Sequence, residues 1–399
     1  MCTGKIRQVD VKVGMYYYYR PGRWGRWLAV LGLVVFLVIV VFGGMLASNY
    51  KHLGTLLEVI HLVRTRYLEP VNATTLVDGA IRGLVKSLND PYSVYLDPGE
   101  YARLQEQIRG SFGGLGILVG IKEDQLTVMR AYEGTPAYRK GIRQGDVIVR
   151  IDGRDARGMD LDTAVSLMRG PVGTEVKLTI TRKGAPQPWD VNLVREEISV
   201  PTVEGRMIPG KGIGYISLTQ FTEKTPDELE STITRLKKEG MRAVLLDLRN
   251  NPGGELRSAV KVAGYFIPRG PVVYIQYRSG REETYSSEGK NLNLPLVVLI
   301  NRASASAAEI LAGAVKDTGS GILVGEKTFG KGIVQTVYEL DNGAALKLTT
   351  ARYLTPARHD INKKGIVPDV VVEQEPQAQV DLQLERAIQI LESRMARAA

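Results

Sequence analysis

The 399-residue chain has a single cysteine, Cys2, and three histidines, His52, His61 and His359. One thiol excludes a disulfide framework and any cysteine-rich zinc site. A histidine-based metal cluster would have to recruit nearly every imidazole present, and neither a metal nor another cofactor is expected. Acid is in deficit, with 43 Asp+Glu against 52 Lys+Arg and a formal charge of +9. Such a balance suits nucleic acid, an anionic membrane or neither, depending on where the charge sits. Apolar residues are not scarce: at 44% of the chain they exclude wholesale disorder, and the length allows two or three domains.

The positive excess lies at one end. Residues 1–27 hold Lys5, Arg7, Lys12, Arg20, Arg23 and Arg26 against Asp10, a net +5, and what remains is too dilute to predict a nucleic-acid partner. Leu28 to Ala47 follow without a charge, twenty residues that cover a ~30 Å hydrocarbon core as a helix. Bases ahead of the span put the N-terminus in the cytoplasm and residues 48–399 outside, as a single-pass protein of the cell membrane. A cleaved signal peptide ending near Met45-Leu46-Ala47-Ser48 is the rival reading. Trp24, Trp27 and Tyr16 to Tyr19 suit the headgroup zone and favour an uncleaved anchor.

Residues 48–110 read as helices. Leu53, Leu56, Leu57, Ile60 and Val63 recur at the spacing of one helix face, and Leu76, Ala80, Ile81, Leu84, Val85 and Leu88 mark a second helix that stops at Asn89-Asp90-Pro91. A third is expected from Asp97-Pro98 to Arg109, with proline at the first helical position. These faces could pack on one another or pair two copies of the chain as a homodimer, and the pattern favours neither.

From 111 to 197 the pattern becomes short strands and turns: Ile117–Ile121, Leu126–Met129, Val147–Ile151, a helix around Asp162 to Met168, and Glu175–Thr181. Phe112-Gly113-Gly114-Leu115-Gly116-Ile117, Gly134-Thr135-Pro136-Ala137 and Gly145-Asp146 to Gly153 together resemble a PDZ domain. That resemblance implies that Gly113, Gly114, Leu115, Gly116 and Ile117 bind the C-terminus of a protein or peptide substrate. Glycines are expected there because successive N–H groups must turn towards one carboxylate, and the captured peptide would add a strand to the sheet edge.

Residues 198–375 alternate strands and helices, and 376–399 read as a C-terminal helix. Ala243–Leu248 is an apolar strand running into Arg249-Asn250-Asn251-Pro252-Gly253-Gly254 and then a helix. Leu294–Ile300 repeats the unit, with a turn at Asn301-Arg302 and a helix from about Ser304 to Val315. An active edge is expected where such strands give way to helix N-termini. Small residues around Ser306 suit a nucleophile at the positive end of a helix, whereas Ser304 reads as the helix cap. No histidine is placed to serve Ser306, so a lysine of lowered pKa is the alternative base, and Lys331 is the candidate. Its context, Gly325 to Gly332, approaches a phosphate-binding loop. That reading fails because Gly332 has no hydroxyl for magnesium and a β-branched, strand-like run follows.

With Asp247-Leu-Arg-Asn-Asn-Pro-Gly-Gly254, Ser304-Ala-Ser-Ala-Ala-Glu309 and Thr328-Phe-Gly-Lys-Gly-Ile-Val-Gln335, the chain resembles the C-terminal processing peptidases, serine peptidases of S41 type with a Ser-Lys dyad. The likeness runs from Leu53 to about Val372 and implies a mixed α/β (α+β) fold, a crotonase/ClpP-like βαβ protease core with an inserted PDZ domain behind the N-terminal helices and the transmembrane helix. By resemblance Ser306 is the nucleophile, Lys331 the general base and Gln335 the residue that orients it. Gly253 or Gly254, with the N–H of Ala307, forms the oxyanion hole, and Glu309, Asp317 and Thr328 support the site. Ala308 stands where the family pattern has a third serine. Residues 331 and 335 on an extended strand would sit ~13 Å apart, so their contact requires a bend, which Gly330 and Gly332 can supply. The expected function is a membrane-anchored, extracytoplasmic endopeptidase that acts on proteins with free C-termini. The alternative is a non-catalytic PDZ adaptor on a protease scaffold.

Overall fold

A computed structural model of the chain describes residues 31–33, 36–37, 52–375 and 380–398. The basic tail, 1–27, lies outside these residues, as does the expected span, 28–47, apart from five helical, exposed positions. Among the described residues no helix is long and apolar enough to cross a membrane. The expected transmembrane helix thus falls almost wholly outside the described residues and is matched by none of the helices described.

Two compact units divide at Ile81/Arg82. In the first, helix α1 spans residues 52–66, with Leu53, Leu56, Leu57 and Leu62 exposed. Helix α2, Ala73–Lys86, runs across the division.

The second unit opens with strand β1, Val94–Leu96, and helix α3, Pro98–Arg109. Asp97 caps α3 as the Asp-Pro signal predicts. Its carboxylate accepts from Glu100 N at 2.8 Å, while the Glu100 carboxylate accepts from Asp97 N at 2.9 Å, so two otherwise orphan donors are satisfied reciprocally. Gly110, at φ +75°, ends the helix. A side chain there would meet Thr222 at 2.7 Å as well as the left-handed strain.

A β-rich body follows: β2 Ser111–Gly114, β3 Ile117–Lys122, β4 Gln125–Ala131, α4 Pro136–Arg139, β5 Val147–Ile151, β6 Arg154–Asp155, α5 Leu161–Met168, β7 Glu175–Thr181, β8 Trp189–Val194 and β9 Glu196–Ser199. Strands β3-β4-β5-β7-β8 form an antiparallel sheet with β6 on β5, while β2 and β9 pair with each other, Ser111 opposite Ser199, at the base. Alternation in β7, with Val176, Leu178 and Ile180 buried, points one face into a core shared with Leu126, Val128 and Ile148. Strand β3 is the sheet's edge, with α5 packed beside it.

The remaining elements are β10 Val203–Ile208, β11 Ile213–Leu218, α6 Thr225–Lys238, β12 Ala243–Asp247, α7 Leu256–Ala263, β13 Gly270–Tyr277, β14 Glu282–Ser287, β15 Leu296–Ile300, α8 Ala307–Asp317, β16 Ile322–Gly325, β17 Ile333–Glu339, β18 Ala345–Leu354, β19 Val370–Val371 and α9 Leu382–Ala398. Their main sheet runs β10-β11-β12-β15-β16-β19, parallel except for β10. Strands β12 and β15 are buried at every position, which is why both read as apolar runs, broken only by Asp247 at the end of β12. Val244 and Leu246 face the core containing α6, α7 and α8, whereas Ala243 and Leu245 face α9. A second sheet, β1-β18-β13-β14 with β17 also on β18, closes over α8 and brings the chain around Lys331 back to the C-terminal edge of the main sheet.

Candidate active site

Adjacent parallel strands deliver two loops to one edge. The loop after β12 and the loop after β15 are joined by a reciprocal pair: Asn301 Oδ1 accepts from Asn250 N and Asn301 Nδ2 donates to Asn250 Oδ1, both at 2.9 Å. Ser304 is not the helix cap. Its hydroxyl donates instead to Leu248 O at 2.8 Å, tying the second loop to the end of β12, because the cap of α8 is Ser306, two residues later.

The residue at the start of α8 is Ser306, with φ +55° and ψ −116°. This is a strained conformation for a residue with a Cβ, costing on the order of 1–3 kcal/mol. What holds it is Glu309, which is fully buried. Its carboxylate accepts from Ser306 N at 2.9 Å, Lys331 N at 2.8 Å, Gly330 N at 2.7 Å and Thr328 Oγ1 at 2.5 Å. Four donors answer the desolvation of the buried carboxylate, and they bind the helix start to the Thr328–Lys331 segment. Thr328 Oγ1 in turn accepts from Ile366 N at 2.7 Å.

Ser306, Lys331, Gly253, Gly254, Ala307 and Gln335 line one cavity of about 400 Å3. Burial, reinforced by the neighbouring charge of Lys347 and opposed by Asp90 and Glu309, pulls the Lys331 amine below the 10.5 of an ordinary lysine. Its Nζ lies 4.7 Å from the centre of the Tyr92 ring. Asp90, beside it, is held in its charged form despite burial by Ser93 Oγ and Tyr92 N.

Known proteins resemble this chain over most of its length. The model of peptidase family S41 matches residues 212–372, a PDZ domain model matches 127–182, and the N-terminal domain model of an activating protease, CtpB, matches 45–99. A carboxyl-terminal-processing protease of Synechocystis is 38% identical over 83% of this chain and 80% of its own length. The carboxy-terminal processing protease CtpA of Bacillus subtilis is 39% identical over 78% of this chain and 67% of its own. The chain belongs to the S41 peptidase family. Among solved structures, a photosystem II D1 C-terminal processing protease is similar at TM-score 0.50 and 33% identity, covering 84% of this chain and 96% of that one. The protein is thus a serine peptidase with a mixed α/β S41 fold and a PDZ domain.

Within this peptidase several expected positions are placed differently from the sequence reading. Gly253 cannot offer its N–H, which donates to Asn251 Oδ1 at 2.8 Å. Its glycine identity has another cause: at φ +100° a Cβ would lie 2.8 Å from Ser306 Cβ. The N–H groups of Gly254 and Ala307 meet no protein acceptor among the described residues. Gln335 makes no hydrogen bond to Lys331, and its amide donates to Thr349 Oγ1 at 3.4 Å. The backbone bends where Gly330 turns at φ +91° and at a bulge between Val334 and Gln335. Asp317 is away from the cavity, at the far end of α8, ~16 Å along eleven residues. There it accepts from Ala357 N at 2.9 Å and sits 3.5 Å from His359 Nδ1.

The glycine-rich segment of the PDZ domain is also only partly a loop. Gly113 and Gly114 belong to β2, opposite Glu197 and Glu196, and Ile117 to β3, so the turn is confined to Leu115 and Gly116. Gly113 is dictated by packing, since a Cβ would lie 2.0 Å from Gly170 O, and Gly116 by φ +74° beneath Thr135. Leu115 is buried, and Ile117 opens the edge strand β3, where Leu118 and Ile121 stand exposed. The sequence reading missed Tyr92, Lys347 and Tyr353 around the cavity, as well as the wall that α3 supplies through Leu104, Gln107 and Ile108. None of them lies in a motif. Only the Asp90-Pro91 helix stop hinted that the chain turns there.

Replacing Glu309 by Gln leaves one acceptor oxygen and turns an amide towards backbone N–H groups. We expect Glu309→Gln to lower stability by ~3 kcal/mol, seen as a lower denaturation midpoint, and to reduce peptidase activity further than the unfolded fraction explains. An unchanged midpoint would show that the four hydrogen bonds do not couple the two segments.

Proposed function

We propose that the protein cleaves other proteins near their free C-termini, with Ser306 as nucleophile and Lys331 as general base, and that the PDZ domain captures the substrate's terminus. The observation that carries this reading is the single cavity shared by Ser306, Lys331, Gly254 and Ala307, in a chain whose relatives are named carboxyl-terminal processing proteases. Neutral Lys331 takes the proton from Ser306 Oγ as the oxygen bonds to the scissile carbonyl carbon. The oxyanion is met by the uncommitted N–H groups of Gly254 and Ala307. Collapse breaks the C–N bond, and the proton passes from Nζ to the leaving amine. Water then repeats the sequence on the acyl-enzyme and restores Ser306. Nζ must leave the Tyr92 ring to do this, and the four-methylene lysine stem permits that swing. Capture of the terminus uses the edge of β3 beside α5 as the strand-addition site, and the exposed apolar side chains Leu118 and Ile121 favour an apolar terminus.

Peptides with a free apolar C-terminus should be cut and their amidated forms spared. Ser306→Ala and Lys331→Ala should each lower kcat at least ~10³-fold, measured by mass spectrometry of the products. Equal cleavage of the amidated peptide would sink the PDZ role, and full activity of either variant would sink the dyad.

Because the lysine must be neutral, activity should rise with pH, with a midpoint below 10.5. Lys347→Met removes a like charge and so should move that midpoint upward. A downward or absent shift in the kcat profile would show that Lys347 does not act on Lys331.

The uncharged run Leu28–Ala47 behind a basic tail supports anchoring in the cell membrane with the peptidase outside the cytoplasm. Alkaline carbonate should leave the full chain in the membrane pellet while releasing residues 48–399. Release of the full chain would refute the anchor.

A further inference from the structure

Tyr353 sits in no motif, yet like Glu309 it bonds to both halves of the site. It is 1% exposed on β18, and its ring is packed in the apolar core with Ala307, Ala308 and Ile310. Its hydroxyl donates to Ser306 O at 3.1 Å, and its backbone N donates to Gly332 O at 3.0 Å. One residue therefore grips the serine's peptide from one side and the lysine's neighbour from the other. We propose that Tyr353 is a positioning residue for Ser306, holding the strained turn from which the serine presents its Oγ; this rests on the reading of Ser306 as nucleophile.

Three features favour positioning over simple packing. The apolar surroundings of the ring would accept phenylalanine equally well, so the hydroxyl needs its own reason. Ser306 O already accepts from Glu309 N at 2.8 Å and Ile310 N at 3.0 Å, so the third donor is not required to satisfy it. What the third donor adds is a fixed carbonyl direction, and with Glu309 on the Ser306 N–H both peptide groups flanking the positive φ are held. Burial, aided by the charge of Glu309, raises the phenol's pKa well above its ordinary value, so the hydroxyl remains a donor throughout the working pH range.

The test compares wild type and Tyr353→Phe for labelling of Ser306 by a fluorophosphonate, for kcat and KM on a free-C-terminus peptide, and for the pH midpoint and melting temperature. Labelling rate and kcat should fall together by roughly 5–30-fold, the effect of one hydrogen bond felt in the transition state. KM, the pH midpoint and the melting temperature should stay near wild type, since neither Lys331 nor the PDZ domain is touched. A labelling rate within twofold of wild type would overturn the proposal, as would a loss confined to KM. An unfolded Tyr353→Phe would overturn it too, because a hydroxyl that the fold requires is not a positioning device. Wild-type protein that takes no label at Ser306 would instead remove the underlying reading of the site, a result visible before any variant is compared.

Discussion

The carboxylate of Glu309 is the constraint on which the site depends. A charge at a fully buried position is tolerated only when its lone pairs are filled, and the four donors that fill them come from both sides of the cavity. Ser306 and the Lys331 segment are therefore not placed independently. Each hydrogen bond that satisfies the carboxylate also fixes the distance between the residues proposed as nucleophile and base.

Around that hub the fold supplies directions rather than further charge. Parallel strands β12 and β15 end side by side, which is how a glycine loop and a helix N-terminus come to line one cavity. Asn251 is the staple of the glycine loop: its Nδ2 donates to Leu218 O and its Oδ1 takes the N–H of Gly253. That N–H is thereby spent on structure, which leaves Gly254 and Ala307 as the donors facing the cavity. Helix α3 closes the wall from outside the peptidase core, so a segment that precedes the PDZ domain shapes the site that follows it.

Much of this architecture is readable from one-dimensional pattern because its causes are local. The Asp97-Pro98 cap, the apolar runs of β12 and β15 and the alternation of β7 follow from hydrogen bonding and burial that each segment settles for itself. The motifs around Ser306, Lys331 and Gly254 likewise mark which loops meet. Pattern misled where a partner distant in sequence decided the matter. Ser304 looks like a cap but is drawn to Leu248 O, and Gln335 follows Lys331 by four residues yet bonds to Thr349 across the sheet. Gly113 appears to free an N–H for a ligand, whereas it makes room for Gly170 O.

Taken alone, the sequence determined the family, the order of domains along the chain and the residue types at the proposed dyad, because motif and periodicity are properties of neighbours along the chain. Tertiary structure alone decided which N–H groups remain free, where the lysine's amine rests and which tyrosine holds the serine. Those outcomes depend on side chains meeting backbone atoms more than twenty or even forty residues away, such as Glu309 with Lys331 and Tyr353 with Ser306. No spacing along the chain encodes the directions in which such groups meet.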